Sequence, residues 1–356
     1  MTLLPSRLLL LVLCALFATP AASAAPPPAL EATAPWRQDA APMAWVKGRI
    51  YFNRKSSSGL FNGWAARPDG SDPVCVTCGS VYPARTQHGI SDVAPDGKYA
   101  LATIERARHL SVPFGKTLAA PGNGAFNDLW LQTSDGSRAW RLTSGQMSGN
   151  ALIWARFDRS GSRVVWSEQW KWGLPFGGWR LHVAELRWSH GVPSLTNVKT
   201  LQSGGLIEPY GFTRDGSRVL FAADALAGTK WNDLQIMAMP ASLTGRPARL
   251  SPRDASDRGS FSNYNEFAFS MPAGGRIIFA RSVGAYSKSL EYWTMNSDGS
   301  DPQQLTWFSQ PWSKQYRGHP SIVGSLAFDP ADPKRFVAAI ETDYLGDYKS
   351  VMVTLK

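Results

Sequence analysis

The stretch Phe212-Thr-Arg-Asp-Gly-Ser-Arg-Val-Leu-Phe221 decides the fold. An apolar strand end runs into a tight polar turn and leaves at once as a second apolar strand. Asp-Gly between such runs is the strongest short-range hairpin signal, because glycine tolerates the positive φ the turn demands. The pattern returns as Trp45-Val-Lys-Gly-Arg-Ile-Tyr-Phe52, Val93-Ala-Pro-Asp-Gly-Lys-Tyr-Ala-Leu101 and Phe157-Asp-Arg-Ser-Gly-Ser-Arg-Val-Val-Trp166. It closes the chain as Phe269-Ser-Met-Pro-Ala-Gly-Gly-Arg-Ile-Ile-Phe279 and Phe328-Asp-Pro-Ala-Asp-Pro-Lys-Arg-Phe-Val337. The copies lie roughly 50 to 60 residues apart, the period range of blade-like repeat units.

Each copy is followed by a second hairpin or its first strand, beginning at Gly63, Leu129, Leu181, Leu234, Tyr292 and Val351. Each repeat therefore reads as a four-stranded antiparallel meander. Such a sheet cannot bury both faces alone, and radial packing of several is the β-propeller solution. The expected fold is all-β: a six-bladed β-propeller of four-stranded antiparallel blades over residues 42–356. The last repeat stops after its third strand at Lys356. Residues between about Ala29 and Ala41 are expected to add the closing strand, since an unpaired edge invites association.

The Phe-x-x-Asp-Gly hairpins, with the later Asn296-Ser-Asp-Gly-Ser300 and Leu305-Thr306 pattern, resemble the TolB-like propeller repeats, also called PD40 or WD40-like repeats. The resemblance runs from Trp45 to Lys356. Two turns depart from the motif, with Arg159-Ser-Gly161 and Ala273-Gly-Gly275 in place of Asp-Gly, and Asp329 to Lys334 is one residue longer. The resemblance implies a fold more than a function, because one scaffold hosts unrelated activities. No partner-binding residue is carried over from it.

At the N-terminus, Arg7, the apolar run from Leu8 to Phe17 and Ala22-Ser-Ala24 read as a signal peptide over 1–24, cleaved before Ala25. The expected location is periplasmic or secreted. The run is far short of the ~20 residues that span a bilayer, so no transmembrane anchor is expected. Residues 25–41, rich in Ala and Pro, read as a flexible lead-in. The net charge of +10 favours anionic partners, yet no run of Lys and Arg concentrates it, which argues against nucleic acid. The protein is expected to be a monomer.

In a meander of this order the first-to-second and third-to-fourth turns share one face of the disc; second-to-third loops and blade links share the other. The first set is short and stereotyped. Binding is therefore expected on the second face, because loops on a rigid scaffold carry function. Its candidate ligand-binding residues are Trp170, Lys171, Trp172, Trp312, Arg106 and Arg108, aromatic planes beside cations that suit a sugar ring or a partner protein. Packing between blades is the competing role for the tryptophans. At the channel mouth the reading places His88, Asn150, Glu208, Asn265, Glu266 and His319, a set able to bind a divalent metal or transfer protons, or merely to hold water.

No Gly-x-Ser-x-Gly elbow, His-Glu-x-x-His pair, P-loop or complete Gly-x-Gly-x-x-Gly occurs, so no catalytic residue and no cofactor are assigned. Cys75 and Cys78 are followed by Gly79, where covalent haem attachment needs histidine. A disulfide between them requires the chain to turn after Thr77, because residues three apart in a straight strand lie about 10 Å apart. A structural bridge is favoured in an oxidising compartment, with free thiols or redox catalysis as alternatives. The leading expectation is a binding module for a cell-envelope protein or glycan. The alternative is a propeller enzyme, a lyase or hydrolase, acting on an anionic polysaccharide at the channel mouth.

Overall fold

The computed structural model describes residues 30–79, 81–107, 118–144, 151–171, 177–229, 233–252, 264–282, 289–316, 318–341 and 348–356. The chain forms a β-propeller of four-stranded antiparallel blades. Four sheets are separate: β2 (Ala41–Val46) to β5 (Val74–Cys75), β6 (His88–Val93) to β9 (Ala139–Arg141), β10 (Leu152–Phe157) to β13 (Val192–Ser203), and β14 (Ile207–Phe212) to β17 (Ala248–Arg249). Between the end strands of these sheets run β3 (Arg49–Lys55) and β4 (Phe61–Ala66), β7 (Tyr99–Glu105) and β8 (Asn127–Thr133), β11 (Arg163–Gln169) and β12 (Trp179–Ser189), and β15 (Arg218–Ala223) and β16 (Gln235–Pro240).

An eight-stranded sheet completes the chain. One half is β18 (Asn265–Ser270), β19 (Arg276–Ser282), β20 (Leu290–Asn296) and β21 (Gln303–Gln304). The other is β22 (Ile322–Phe328), β23 (Arg335–Glu341) and β24 (Tyr348–Leu355), completed by β1 (Leu30–Arg37). The halves meet through a single parallel pair, Leu290 with Ile322.

β1 thus brings the N-terminal segment against the C-terminal strand, pairing antiparallel with β24 from Leu30↔Leu355 to Arg37↔Ser350. Residues 30–37 lie in the segment read as a flexible lead-in that adds the closing strand, and they pair with the open edge of β24 in a ladder with irregularities between Leu30 and Ala32 and between Pro35 and Arg37. The far end of β1 is then anchored on the first sheet. Trp36 Nε1 donates to Pro68 O at 3.0 Å, its ring stands edge-on to Phe52 at 5.5 Å, and Arg37 Nη1 donates to Gly70 O at 3.0 Å. β2 also packs beside both β6 and β22, so the first and last sheets are neighbours.

Two local devices recur. In the Asp-Gly-Ser turns the aspartate Oδ1 accepts the N–H of the serine two residues on: Asp69 from Ser71, Asp135 from Ser137, Asp215 from Ser217 and Asp298 from Ser300. Gly216, at φ 69°, supplies the left-handed residue such a turn needs. Where Arg159-Ser-Gly161 replaces Asp-Gly, Asp158 closes the turn instead, accepting from Ser162 N at 3.0 Å and Arg163 N at 3.1 Å. The second device lies beyond the fourth strand. The hydroxyls of Thr77, Thr143, Ser251 and Thr306 accept third-strand N–H groups of Gly63, Leu129, Ile236 and Tyr292.

Apolar packing fills the sheet interfaces, with Phe52, Leu101, Leu131, Phe221, Phe279 and Phe336 fully buried. Polar stitches cross them as well. Asn53 exchanges two hydrogen bonds with the backbone of Ile90 at 2.9 and 2.8 Å, and Arg163 Nη2 donates to Gly216 O at 2.7 Å. Cys75 and Cys78 are bridged, with Cα atoms 5.6 Å apart; β5 ends at Cys75, and the turn follows directly.

Deleting residues 30–37 would strip the ladder from β24 and leave an open edge. The expected result is a melting temperature lower by roughly 5 °C or more, together with concentration-dependent association in size-exclusion chromatography. An unchanged Tm and a monomeric elution would show that closure does not depend on β1.

Candidate binding site on the channel axis

Every first strand carries a register irregularity within its hairpin: between Pro42 and Ala44, Ile90 and Asp92, Ile153 and Arg156, Pro209 and Gly211, Glu266 and Phe269, and Val323 and Leu326. Bulges of this kind bend a strand and re-aim its side chains. Trp154 and Phe267 take left-handed backbone there, at φ 52° each, a cost of about 1–3 kcal/mol per residue that packing must offset. One residue before the end of each first strand, the ladders place Trp45, Asp92, Arg156, Gly211, Phe269 and Ala327 at one level. All six line a single axial recess of about 250 Å³. Only Asp92 and Arg156 are charged among them.

Arg156 is 5% exposed. Its Nη1 donates to Met43 O at 2.9 Å and Ser91 O at 2.8 Å, both in the irregular stretches of neighbouring first strands. The guanidinium carbon stands 5.4 Å from the Phe269 ring centroid and 6.0 Å from that of Trp154. Asp92 Oδ1 is 3.9 Å from Nη1, while its Oδ2 accepts the Phe157 N–H at 2.8 Å. Burial pushes the Asp92 carboxyl up to about 6, against the pull of Arg156 and the backbone donors.

A second group of carboxylates lies behind Tyr210, which also lines the recess. Tyr210 donates to Glu208 Oε2 at 2.8 Å, and Tyr264 donates likewise to Glu266 Oε2 at 2.8 Å. Burial raises Glu208 to about 7; the Tyr210 bond opposes this shift and the Asp224 charge adds to it. Tyr210 is itself raised well above the phenol range, by burial and then by Glu208 and Glu266.

The recess opens on the face of the first-to-second turns, since it is lined by the C-terminal ends of the first strands. Two larger hollows adjoin it there, of about 510 and 480 Å³. Lys47, Arg159 and Arg214, one from each of three turns, line these hollows. All three are exposed and make no ion pair among the described residues. Asp158, also on the rim, is held by Arg163 at 2.9 Å.

The residues anticipated from sequence are distributed otherwise. Glu208 and Glu266 sit on adjacent first strands and share Tyr210 as a neighbour. His88 does not reach the axis: it is buried with Nδ1 on Thr77 O at 2.9 Å and Nε2 on Thr86 Oγ1 at 2.8 Å, and burial lowers its pKa. Asn265 is fully buried and donates to Gln235 Oε1 at 3.1 Å, while His319 makes a local bond to Pro320 O at 2.9 Å. Among the described residues no three His, Cys, Asp or Glu side chains gather as a metal site.

On the second face, Trp170 packs over Gly178 and donates to Ser203 O at 3.0 Å, and Arg106 lies 3.8 Å from Asp128, so both are tied into the scaffold. Lys171 is exposed, and Trp312 is 73% exposed. Arg108, Asn150 and Trp172 lie outside the described residues. Sequence reading missed Arg156, Asp92 and the turn cations. The available signal was a charge one residue before the end of an otherwise apolar first strand.

Solved structures share this architecture. A candidate TolB from Agrobacterium tumefaciens matches with a TM-score of 0.50 at 15% identity, over 75% of this chain and 80% of that one. TolB from Acinetobacter baumannii matches with 0.55 at 15% identity, over 86% of this chain and 64% of that one. The fold is that of the TolB-like β-propellers. A puromycin hydrolase S511A mutant complexed with PGG matches with 0.52 at 14% identity, over 87% of this chain but only 44% of the hydrolase. Identities this low show the fold alone. No family model and no curated protein matches the chain. No helix among the described residues is long and apolar enough to cross a membrane.

Glu208 yields a prediction whose sign is fixed by its raised pKa. Between the usual carboxylate range and about 7 the folded state binds more protons than the unfolded one, so stability falls as pH rises through that window. E208Q, uncharged throughout, is expected to be more stable than wild type at pH 8 by on the order of 1–3 kcal/mol. The gap should close by pH 4.5 in paired urea denaturations. A gap independent of pH would show that Glu208 ionises freely in the fold.

Proposed function

We propose that the protein is a periplasmic or secreted binding module for an anionic cell-envelope protein or glycan. It acts as one domain over 42–356 behind a cleaved signal over 1–24, and the two halves of the eight-stranded sheet count as two blades of a six-bladed ring. The observation that carries this reading is the exposed trio Lys47, Arg159 and Arg214 around the axial opening, none of them in an ion pair among the described residues. Cations on separate turns of a rigid disc hold fixed spacings, and a concave mouth focuses their field on an approaching anion. Trp45, Phe157 and Phe212, all buried, and the half-buried Phe328 form the firm apolar base between these cations.

A second reading, a propeller enzyme acting on an anionic polysaccharide, draws on one observation. Glu208 is poised near neutrality beside the Tyr210 hydroxyl, the condition a general acid or base requires. On that reading E208Q would abolish turnover of an acidic glycan while leaving its binding intact.

The test of the leading reading is retention of the chain on an immobilised polyanion, compared with a neutral polysaccharide, across a salt gradient. K47A/R159A/R214A is expected to weaken binding at least tenfold at 0.1 M salt, where exposed charges act over about 10 Å, with Tm unchanged. Equal retention of the triple variant and wild type would remove the turn face from the account.

A further inference from the structure

The hairpin of β12 and β13 overruns its own sheet. β11 pairs with β12 only from Arg163↔Glu185 to Gln169↔Trp179, so residues 187–189 pair with β13 alone. The fourth strands of the other separate sheets span two or three residues, whereas β13 spans twelve. This overhang carries Trp188 onto the neighbouring sheet. Its ring centroid lies 4.9 Å from that of Tyr99, at an interplanar angle of 40°, and 5.4 Å from that of Trp140, at 87°. Tyr99 follows the first-to-second turn of its sheet and Trp140 the third-to-fourth turn, while Trp188 precedes the third-to-fourth turn of the next sheet. The cluster therefore lies on the face that carries Lys47, Arg159 and Arg214.

Two observations set this cluster apart from a core contact. Tryptophan is highly buried on average, yet Trp188 is 41% exposed, and Tyr99 and Trp140 are only half-buried. Beside Trp140 stands the exposed Arg138, its guanidinium carbon 4.9 Å from the ring centroid. Among the described residues Arg138 makes hydrogen bonds only through its backbone. The acids of the same turns and hairpin are engaged elsewhere: Asp135 with Thr133 and Ser137, Asp96 with Lys98, and Glu185 with Arg187.

An exposed aromatic ring bordered by an unpaired cation suits a ligand with a rigid apolar face and an anionic edge. A pyranose ring presents C–H bonds on its face, and a uronic acid adds a carboxylate at the ring edge. An acidic peptide supplies the charge on flexible side chains, without the rigid face and at a greater cost in ordering entropy.

We propose that Tyr99, Trp140 and Trp188 form a subsite for an acidic sugar residue, its ring stacked on Trp188 and its carboxylate held by Arg138. The assignment rests on the reading of the turn face as the working face, and it selects a glycan over a protein as the ligand of that face.

The test is isothermal titration of the purified chain with an alginate tetrasaccharide, with its carboxyl-reduced counterpart and with tetraglutamate. The first offers rings and charge, the second rings alone and the third charge alone. The acidic tetrasaccharide is expected to bind about tenfold or more tightly than either comparator. W188F keeps an aromatic face and should bind it within about threefold of wild type, whereas W188L keeps an apolar side chain without that face and should weaken it about tenfold. R138Q should bring the acidic and reduced oligosaccharides to within about threefold of each other. Equal binding of the tetrasaccharide and either comparator, no binding of the tetrasaccharide, or a W188L chain that loses Tm but no affinity would each overturn the proposal; the last would make the cluster a clasp between sheets and nothing more. If W188L does not fold, the three ligands on the wild-type chain decide. Failure of the tetrasaccharide with polyanion retention still dependent on Lys47, Arg159 and Arg214 would refute this inference alone; failure of both would refute the reading of the face as well.

Discussion

The ladder between β1 and β24 is the interaction on which the rest of the structure depends. A meander exposes two long edges and two faces, and a ring of meanders removes that exposure only when its ends meet. Here the chain's last strand is completed by its first, and Trp36 and Arg37 then fasten that strand to the first sheet. The closure is noncovalent, a backbone ladder with two side-chain anchors.

That axis concentrates the molecule's unusual electrostatics. Asp92 and Glu208 are carboxyls pushed towards neutrality by burial, and Arg156 is a cation only partly satisfied by backbone carbonyls. Burying such groups is tolerated where the scaffold is stable enough to offset the cost, and such groups cluster where a protein meets its ligands. The bulges supply the geometry, since each turns a first strand so that residues near its end face the axis. Exposed cations on the surrounding turns then present the same sign of charge to solvent that Arg156 holds within.

Much of the architecture was legible in the chain. Asp-Gly turns fix hairpins locally, and the Leu-Thr pairs mark fourth-strand ends whose hydroxyls reach back to third-strand amides such as Leu129 and Tyr292. Even the irregular Asp158 turn kept a carboxylate to close it. The site was less legible. His88 begins a first strand as Glu208 nearly does, yet its ring turns into a sheet interface and is consumed by Thr77 and Thr86. Alternation in a strand predicts which side of a sheet a residue faces. It cannot predict the slip at Ile90 and Asp92 that sends Asp92 towards the axis.

By itself, then, the sequence determined the all-β class, the four-stranded unit, its repetition and the turns that join its strands, because these follow from contacts within a few residues. Only the tertiary structure decided that Arg156 reaches Met43 and Ser91, 113 and 65 residues away, and that its Nε and Nη2 lie buried without a hydrogen-bond partner among the described residues. The reason is physical: hairpin chemistry is local, whereas the partners of an axial side chain are set by how separate sheets converge, and no spacing within one repeat records that convergence.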